Sequence, residues 1–279
     1  MTQITASMVK ELREETNVGM MECKRALQEC GGNKDEAIKM LRERGIAIAG
    51  KKASREASEG LVDAVIMDGG KKGVMIEVNC ETDFVARNEN FQQFVKSLLD
   101  KAKTLGNDEL AEAEKDNLTA KVAEIGENLK IAGNVAFEVE GAGLVASYIH
   151  LGGKVGVLIE LSFNKPETAE NEDVKELAKD LTLQIAASDP ACLNRESVPE
   201  DVVAAERDIF AKQMQDKPAN ILENIINGKM NKFYSQNCLL EQEFVKDPDM
   251  SVTDLIDSVA KKVGDEIEVT RYVRYQVGA

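Results

Sequence analysis

Residues 60–78, GLVDAVIMDGGKKGVMIEV, and residues 143–161, GLVASYIHLGGKVGVLIEL, align without a gap at an offset of 83 positions through a shared Gly-Gly-Lys-x-Gly-Val core. A match of that length within one chain marks an internal repeat, so the fold is to be sought in a duplicated unit. Each copy holds two alternating apolar runs joined by a glycine pair, Gly69-Gly70 and Gly152-Gly153. Alternation at period two spells a half-buried strand, and a glycine pair between two such runs spells an antiparallel hairpin whose turn needs positive φ. A helix is expected after each hairpin. Phe91, Phe94, Val95 and Leu98 stand in the same frame as Val174, Leu177, Ala178 and Leu181, which gives each sheet an equivalent apolar stripe. The body is therefore α+β, with two hairpin-plus-helix subdomains related by a pseudo-two-fold.

Upstream of the repeat lie three short helical patterns. The first opens at Thr5, a potential N-cap, and carries Met8, Val9 and Leu12. The second follows the turn Thr16-Asn17-Val18-Gly19 and sets Met20, Met21, Ala26 and Leu27 on one side. The third opens on the capping-box-like Asn33-Lys34-Asp35-Glu36, carries Ala37, Ile38 and Leu41, and is expected to stop at Gly45. Three helices in so short a stretch make a compact bundle of the ubiquitin-associated kind. Its core is marginal alone. That smallness and the thioether pair Met20 and Met21 favour a docking module, the alternative being that both methionines are core. Residues 46–60, IAIAGKKASREASEG, read as a linker or mixed helical extension.

Inside the second copy sits a helical hairpin. Val202, Ala205, Ile209, Phe210 and Met214 form one stripe, Asp216-Lys217-Pro218 break it, and Ile221, Leu222, Ile225, Ile226, Met230 and Phe233 form the returning one. Pro218 is placed to open the second helix, where its missing N–H is not needed. Gly228 costs that helix roughly 1 kcal/mol against Ala, so packing must hold the pair. An ordinary hairpin within the body and a projecting antiparallel coiled coil that contacts a partner both fit. The run Ile267 to Tyr275 alternates and predicts a closing strand. The expected division is a three-helix domain at 1–53, a core N-subdomain at 54–140, and a core C-subdomain at 141–279 with the hairpin at about 199–236.

Composition excludes several function classes. With 35 basic against 50 acidic side chains, 4% aromatic residues and no Trp, the chain repels phosphate backbones and lacks stacking platforms, so nucleic acid is not expected as a direct partner. The acidity belongs to the body: residues 1–60 hold 11 basic and 10 acidic side chains, the remainder 24 and 40. No apolar run approaches the roughly 20 residues needed to span a bilayer, and MTQITASMVKELREE is too polar for a signal or transit peptide. A cytoplasmic chain is expected. Cys23, Cys30, Cys80, Cys192 and Cys238 are scattered and suggest neither zinc nor disulfides, and are expected to be small buried residues. The single histidine, His150, lies in a predicted strand without a motif nucleophile, and the Gly-Gly-Lys triplets fall between strands, the wrong context for cradling phosphate. No enzyme, cofactor or metal site is expected.

The two copies differ sharply after their second strands. The first reads Asn79-Cys80-Glu81-Thr82-Asp83-Phe84-Val85-Ala86, the second Ser162-Phe163-Asn164-Lys165-Pro166-Glu167-Thr168-Ala169. Positions that serve only the fold should look alike in both. Phe84, a bulky aromatic beside a carboxylate at a strand-to-helix junction, is placed where side chains are presented to partners. The alternative is a core aromatic behind a helix capped by Thr82 or Asp83.

Ile4-Thr5-Ala6, Val9-Lys10-x-Leu12-Arg13, Thr16, Gly19-Met20-Met21-x-Cys23-Lys24-x-Ala26-Leu27, Cys80-x-Thr82-Asp83-Phe84-Val85-Ala86, Ile125-Gly126-Glu127-Asn128, Tyr148-x-His150 and Phe244-Val245, in that order over the whole chain, closely resemble the bacterial translation elongation factor Ts family. The resemblance implies a guanine nucleotide exchange factor that binds the GTPase elongation factor Tu and promotes GDP release without covalent chemistry. It implies that Thr82, Asp83, Phe84 and Val85 intrude beside the partner's magnesium site, with Phe84 as a wedge. It further implies that Arg13, Met20, Met21 and Lys24 dock the N-terminal module, and that Ile125, Gly126, His150 and Val245 add contacts. Asn17 stands where the family usually has Gly, and Lys246 where some members have a hydrophobic residue. A C-terminal helix present in some members is expected to be short or absent. The rival class is a protein-binding module or co-chaperone that uses the three-helix domain on a duplicated scaffold. The Thr82–Ala86 asymmetry separates the two, since a scaffold does not need it.

Overall fold

Two three-stranded sheets, one from each copy of the repeat, organise the chain, whose computed structural model describes residues 4–16, 18–214 and 218–279. The turn residue Asn17 and the break at Asp216-Lys217 lie outside the described residues. Contacts divide the chain into two units, Met1–Asp63 with Ile76–Val135 and Gln276–Ala279, and Ala64–Met75 with Ala136–Tyr275.

The first unit begins with α1 (Ala6–Thr16), α2 (Met20–Glu29) and α3 (Lys34–Lys52). The Thr5 hydroxyl accepts from the Met8 N–H at 3.3 Å, and the Asn33 side chain accepts from the Asp35 and Glu36 N–H groups at 3.1 and 3.3 Å, so both expected N-caps are in use. Val9, Leu12, Cys23, Ala26, Leu27, Ala37 and Leu41 form the core of the bundle. Met20 and Met21 do not share that face with Ala26 and Leu27: they are 53% and 64% exposed. The third helix does not stop at Gly45. It runs seven residues further, to Lys52, because Gly45 is buried where a Cβ would lie 3.4 Å from the Ala123 Cβ. The missing side chain thus permits close packing of α3 on a second helix, and tertiary contact overrides the tendency of glycine to end helices.

The sheet strands β1 (Glu59–Met67) and β2 (Lys72–Cys80) are followed by α4 (Asp83–Ala86), α5 (Glu89–Ala102), α6 (Leu110–Ala113), α7 (Lys115–Ile125) and β3 (Leu129–Glu138). Strand order is β1-β2-β3, with β2 central and buried along nearly its whole length, as expected of a strand covered on both faces. Strand β3 has no counterpart in the repeat alignment and was not expected.

In the second unit β4 (Gly143–His150) pairs antiparallel with β5 (Val155–Phe163), from Gly143 opposite Ser162 to His150 opposite Val155. After them come α8 (Glu172–Ser188), α9 (Glu200–Gln213), α10 (Ala219–Asn237), the short β6 (Glu243–Phe244) and β7 (Asp247–Ser251), α11 (Val252–Val263) and β8 (Ile267–Gln276), which closes the order β4-β5-β8. Both helix stripes of the repeat are buried, Phe91, Phe94, Val95 and Leu98 on α5 and Val174, Leu177, Ala178 and Leu181 on α8. The glycine-pair turns are wider than two residues. Asp68, Gly69 and Gly70 have φ of 53°, 63° and 92°, and Leu151, Gly152 and Gly153 repeat this at 50°, 65° and 97°. Positive φ therefore extends to a non-glycine residue in each copy, at a cost of roughly 1–2 kcal/mol for Leu151.

The helical hairpin exists as α9 and α10, with Pro218 as the cap of α10. On α10 the expected stripe is turned inward except at Ile221, whereas on α9 only Phe210, and Met214 at its end, keep the expected side. Val202, Ile209 and Ile221 are exposed, and the half-buried positions of α9 are Val203, Glu206, Arg207, Phe210, Ala211 and Met214. Ile226 and Met230 are buried on α10, Arg207 bonds Glu223 and Asn227, and Lys229 lies 5.3 Å from the Phe210 ring centre. None of the five cysteines is in a disulfide, but only Cys23, Cys80 and Cys238 are buried. Cys30 and Cys192 are half-exposed, each lying at the edge of a loop. Among the described residues no helix is long and apolar enough to cross a membrane, and no three His, Cys, Asp or Glu side chains converge to hold a metal ion.

Candidate functional site

Strand β2 carries the chain to Cys80, and the next two residues turn it into a helix. Thr82 is extended, with φ −129° and ψ 153°, and its hydroxyl oxygen accepts from the Val85 N–H at 3.3 Å. That bond satisfies one of the orphan donors at the start of α4. Ala86 is buried and fixes the inner side of this four-residue turn, while Phe84 points outward and is 82% exposed. Beside it the Asp83 carboxylate pairs with Arg87 at 3.2 Å. Thr82 is therefore the cap, and the alternative placing of Phe84 in the core is excluded. An aromatic ring held in water on a capped turn is an unsatisfied apolar surface, of the kind that anchors protein interfaces.

A ring of hydrogen bonds fixes the base of the turn. The Glu127 carboxylate accepts from the Glu81 and Thr82 N–H groups, both at 3.1 Å, and from the Thr82 hydroxyl at 2.7 Å. In exchange the Glu81 carboxylate accepts from the Asn128 N–H at 2.6 Å and pairs with Arg55 at 3.4 Å. The bond from Asn128, reinforced by Arg55, holds the Glu81 carboxyl below its ordinary value. The preceding residues are two of the expected contact positions: Ile125 ends α7, half-buried, and Gly126 caps it in the left-handed region at φ 84°, its carbonyl accepting from Lys52. Glu127 falls in the Ile125-Gly126-Glu127-Asn128 motif, but its role is visible only in the fold, because its partners lie 45 and 46 positions away in the sequence.

The same unit presents the expected docking residues of the three-helix module. Met20, Met21 and Lys24 are exposed on the first turns of α2, opposite the Cys23, Ala26 and Leu27 face, and Arg13 is exposed near the end of α1. In the second unit, His150 ends β4 exposed, its Nδ1 hydrogen-bonded to the Tyr148 hydroxyl at 2.7 Å with the two ring centres 5.6 Å apart. Val245, also in that unit, is 46% exposed on the link between β6 and β7, where its N–H donates to the buried Gln184 at 2.8 Å. Lys246 turns away to an ion pair with Asp180 at 2.6 Å. Of the expected apolar contact residues, Met20, Met21 and Val245 are exposed and Ile125 is half-buried.

The sequence profile of the family described as elongation factor TS matches residues 81–279. The elongation factor Ts of Symbiobacterium thermophilum is 46% identical over 283 aligned residues, covering 100% of this chain and 93% of that protein. The elongation factor Ts of Nitratidesulfovibrio vulgaris is 42% identical, covering 99% and 96%, and that of a Nostoc species 43% identical, covering 100% and 93%. With the repeat, the capped Phe84 turn and similarity along the full chain, the protein belongs to the elongation factor Ts family of translation elongation factors.

Proposed function

We propose that this chain is the guanine nucleotide exchange factor of the GTPase elongation factor Tu, acting by binding alone. The observation that carries this reading is Phe84, an aromatic ring 82% exposed at the tip of a hydrogen-bonded turn whose counterpart in the second repeat copy carries Glu167 instead. The three-helix module at residues 1–53 docks on the GTPase through Arg13, Met20, Met21 and Lys24, with Ile125, Gly126, His150 and Val245 as further contacts. Methionines suit that task because their flexible thioethers fit irregular apolar surfaces.

Docking delivers the Thr82–Val85 turn to the partner's nucleotide site. Phe84 wedges between partner side chains, and Asp83 brings a carboxylate beside the partner's magnesium. That ion is the largest local charge neutralising the phosphates, so disturbing it weakens GDP without direct contact to the nucleotide. Only a difference in affinity can shift the equilibrium, so the chain must prefer the nucleotide-free partner. Because the turn is already capped and clamped, little ordering entropy is lost on insertion. The test is calorimetric titration against the nucleotide-free and the GDP-bound GTPase. Tighter binding to the nucleotide-free form is expected; equal affinities would overturn the reading.

A further inference from the structure

We infer that Glu127 is the positioning residue of the exchange turn, aiming Phe84 through Thr82. This rests on the exchange reading above. Glu127 accepts three hydrogen bonds, all from the two residues that precede the turn. The decisive one is the Thr82 hydroxyl at 2.7 Å. With its proton directed at Glu127, the hydroxyl turns a lone pair toward the Val85 N–H and so caps α4. A helix of four residues has no stability of its own, so the direction of Phe84 is set by this relay from carboxylate to hydroxyl to amide.

The second repeat copy isolates what is particular about Glu127. There Asp265, two residues before β8 as Glu127 is two residues before β3, accepts from the Lys165 N–H at 3.0 Å and the Thr168 hydroxyl at 2.6 Å. A second bond joins the same two positions with different groups: the Glu81 carboxylate accepts from the Asn128 backbone N–H in the first copy, and the Asn164 side-chain amide donates to the Glu266 carboxylate at 2.9 Å in the second. The clamp is thus a device of the duplicated fold. In the first copy it holds a turn that presents Phe84; in the second it holds one with Glu167 at the corresponding position. Asp265 is therefore an internal control, a related clamp without the wedge and without the capping relay, its hydroxyl partner Thr168 standing at the position of Val85.

The test uses the full chain and fluorescent GDP release from the GTPase, titrated to saturation, with Glu127→Gln, Asp265→Asn, Phe84→Ala and the Glu127→Gln/Phe84→Ala double variant. Glu127→Gln is expected to lower the maximal release rate roughly tenfold or more, the scale of losing charge-assisted hydrogen bonds, while the half-saturating concentration stays within about twofold. It should add nothing in the Phe84→Ala background, and hydrogen exchange at the Glu81, Thr82 and Val85 amides should quicken. Asp265→Asn should leave the maximal rate at the parent value. An unchanged maximal rate for Glu127→Gln, an effect additive with Phe84→Ala, or an equal loss in Asp265→Asn would each overturn the inference. If Glu127→Gln does not fold, Thr82→Val cuts the same relay and decides by the same outcomes. If the parent chain itself fails to accelerate release, the exchange reading falls, and the amide exchange alone decides whether Glu127 holds the turn.

Discussion

Truncating Phe84 to alanine separates function from folding more cleanly than any other change. The side chain is already 82% exposed, so its loss removes almost no folded-state packing, and stability should move by no more than about 0.5 kcal/mol. An interface that covers the ring would lose much more. Removing roughly 100 Å² of apolar surface from such a contact, at ~25 cal/mol per Å², costs about 2.5 kcal/mol. At 1.36 kcal/mol per decade that is a fall of roughly 70-fold in the second-order rate of stimulated GDP release. Stopped-flow release of a fluorescent GDP from the GTPase reads this directly, with thermal melting of the variant alone as the companion measurement. Phe84→Leu, which keeps part of the apolar volume, should fall between. A loss below about threefold, less than ~0.7 kcal/mol, or a large drop in melting temperature, would refute the wedge.

The remaining expectations concern docking and the fold. Charging the exposed methionines, Met20→Asp with Met21→Asp, should raise the half-saturating concentration by tenfold or more, on the scale of about 1.4 kcal/mol, and leave the maximal release rate alone; a titration that moves only the maximal rate would contradict their docking role. Leu181→Ala, at a fully buried position of the α8 stripe, should cost about 2–5 kcal/mol in denaturant unfolding, and Leu98→Ala, its counterpart on α5, a similar amount. Glu77 is buried in β2, and burial raises its carboxyl above the ordinary value. A raised carboxyl favours folding at acid pH and loses that contribution as pH rises through its folded-state value, so Glu77→Gln should be closer to neutral at acid pH and more stabilising at neutral pH. A melting-temperature difference that does not change with pH would show that the carboxyl is not held out of water.

What the sequence disclosed and what it hid divide along the repeat. The hairpins and the stripes of α5 and α8 were legible because an offset of 83 residues lays them side by side. The closing strand β8 was legible in its own alternation, but β3 and its equivalence to β8 escaped, since the two stand 138 residues apart, the second copy being lengthened by the α9–α10 hairpin. The equivalence of Glu127 with Asp265 escaped with them, and so did the clamp, whose bonds join residues 45 positions apart. Gly45 misled because its role is close packing on Ala123, a tertiary fact invisible to local propensity. On α9 the expected stripe holds at Phe210 and at Met214 just beyond the helix, but Val202, Ala205 and Ile209 are exposed, and Val203 with the charged Glu206 and Arg207 takes the half-buried side. Phe84 was legible for a different reason. Set against a copy with Glu167, a lone aromatic at a turn stood out as a candidate, but its exposure, as against a place in the core, was settled only by the fold.

The most direct measurement is the rate of GDP release from purified elongation factor Tu with and without this chain, followed across a range of magnesium concentrations. An exchange factor that works through the partner's metal accelerates release strongly when magnesium is abundant and adds progressively less as the ion is withdrawn, because chelation has already done its part. Release that is equally slow with and without the chain at every magnesium concentration would contradict the proposed function.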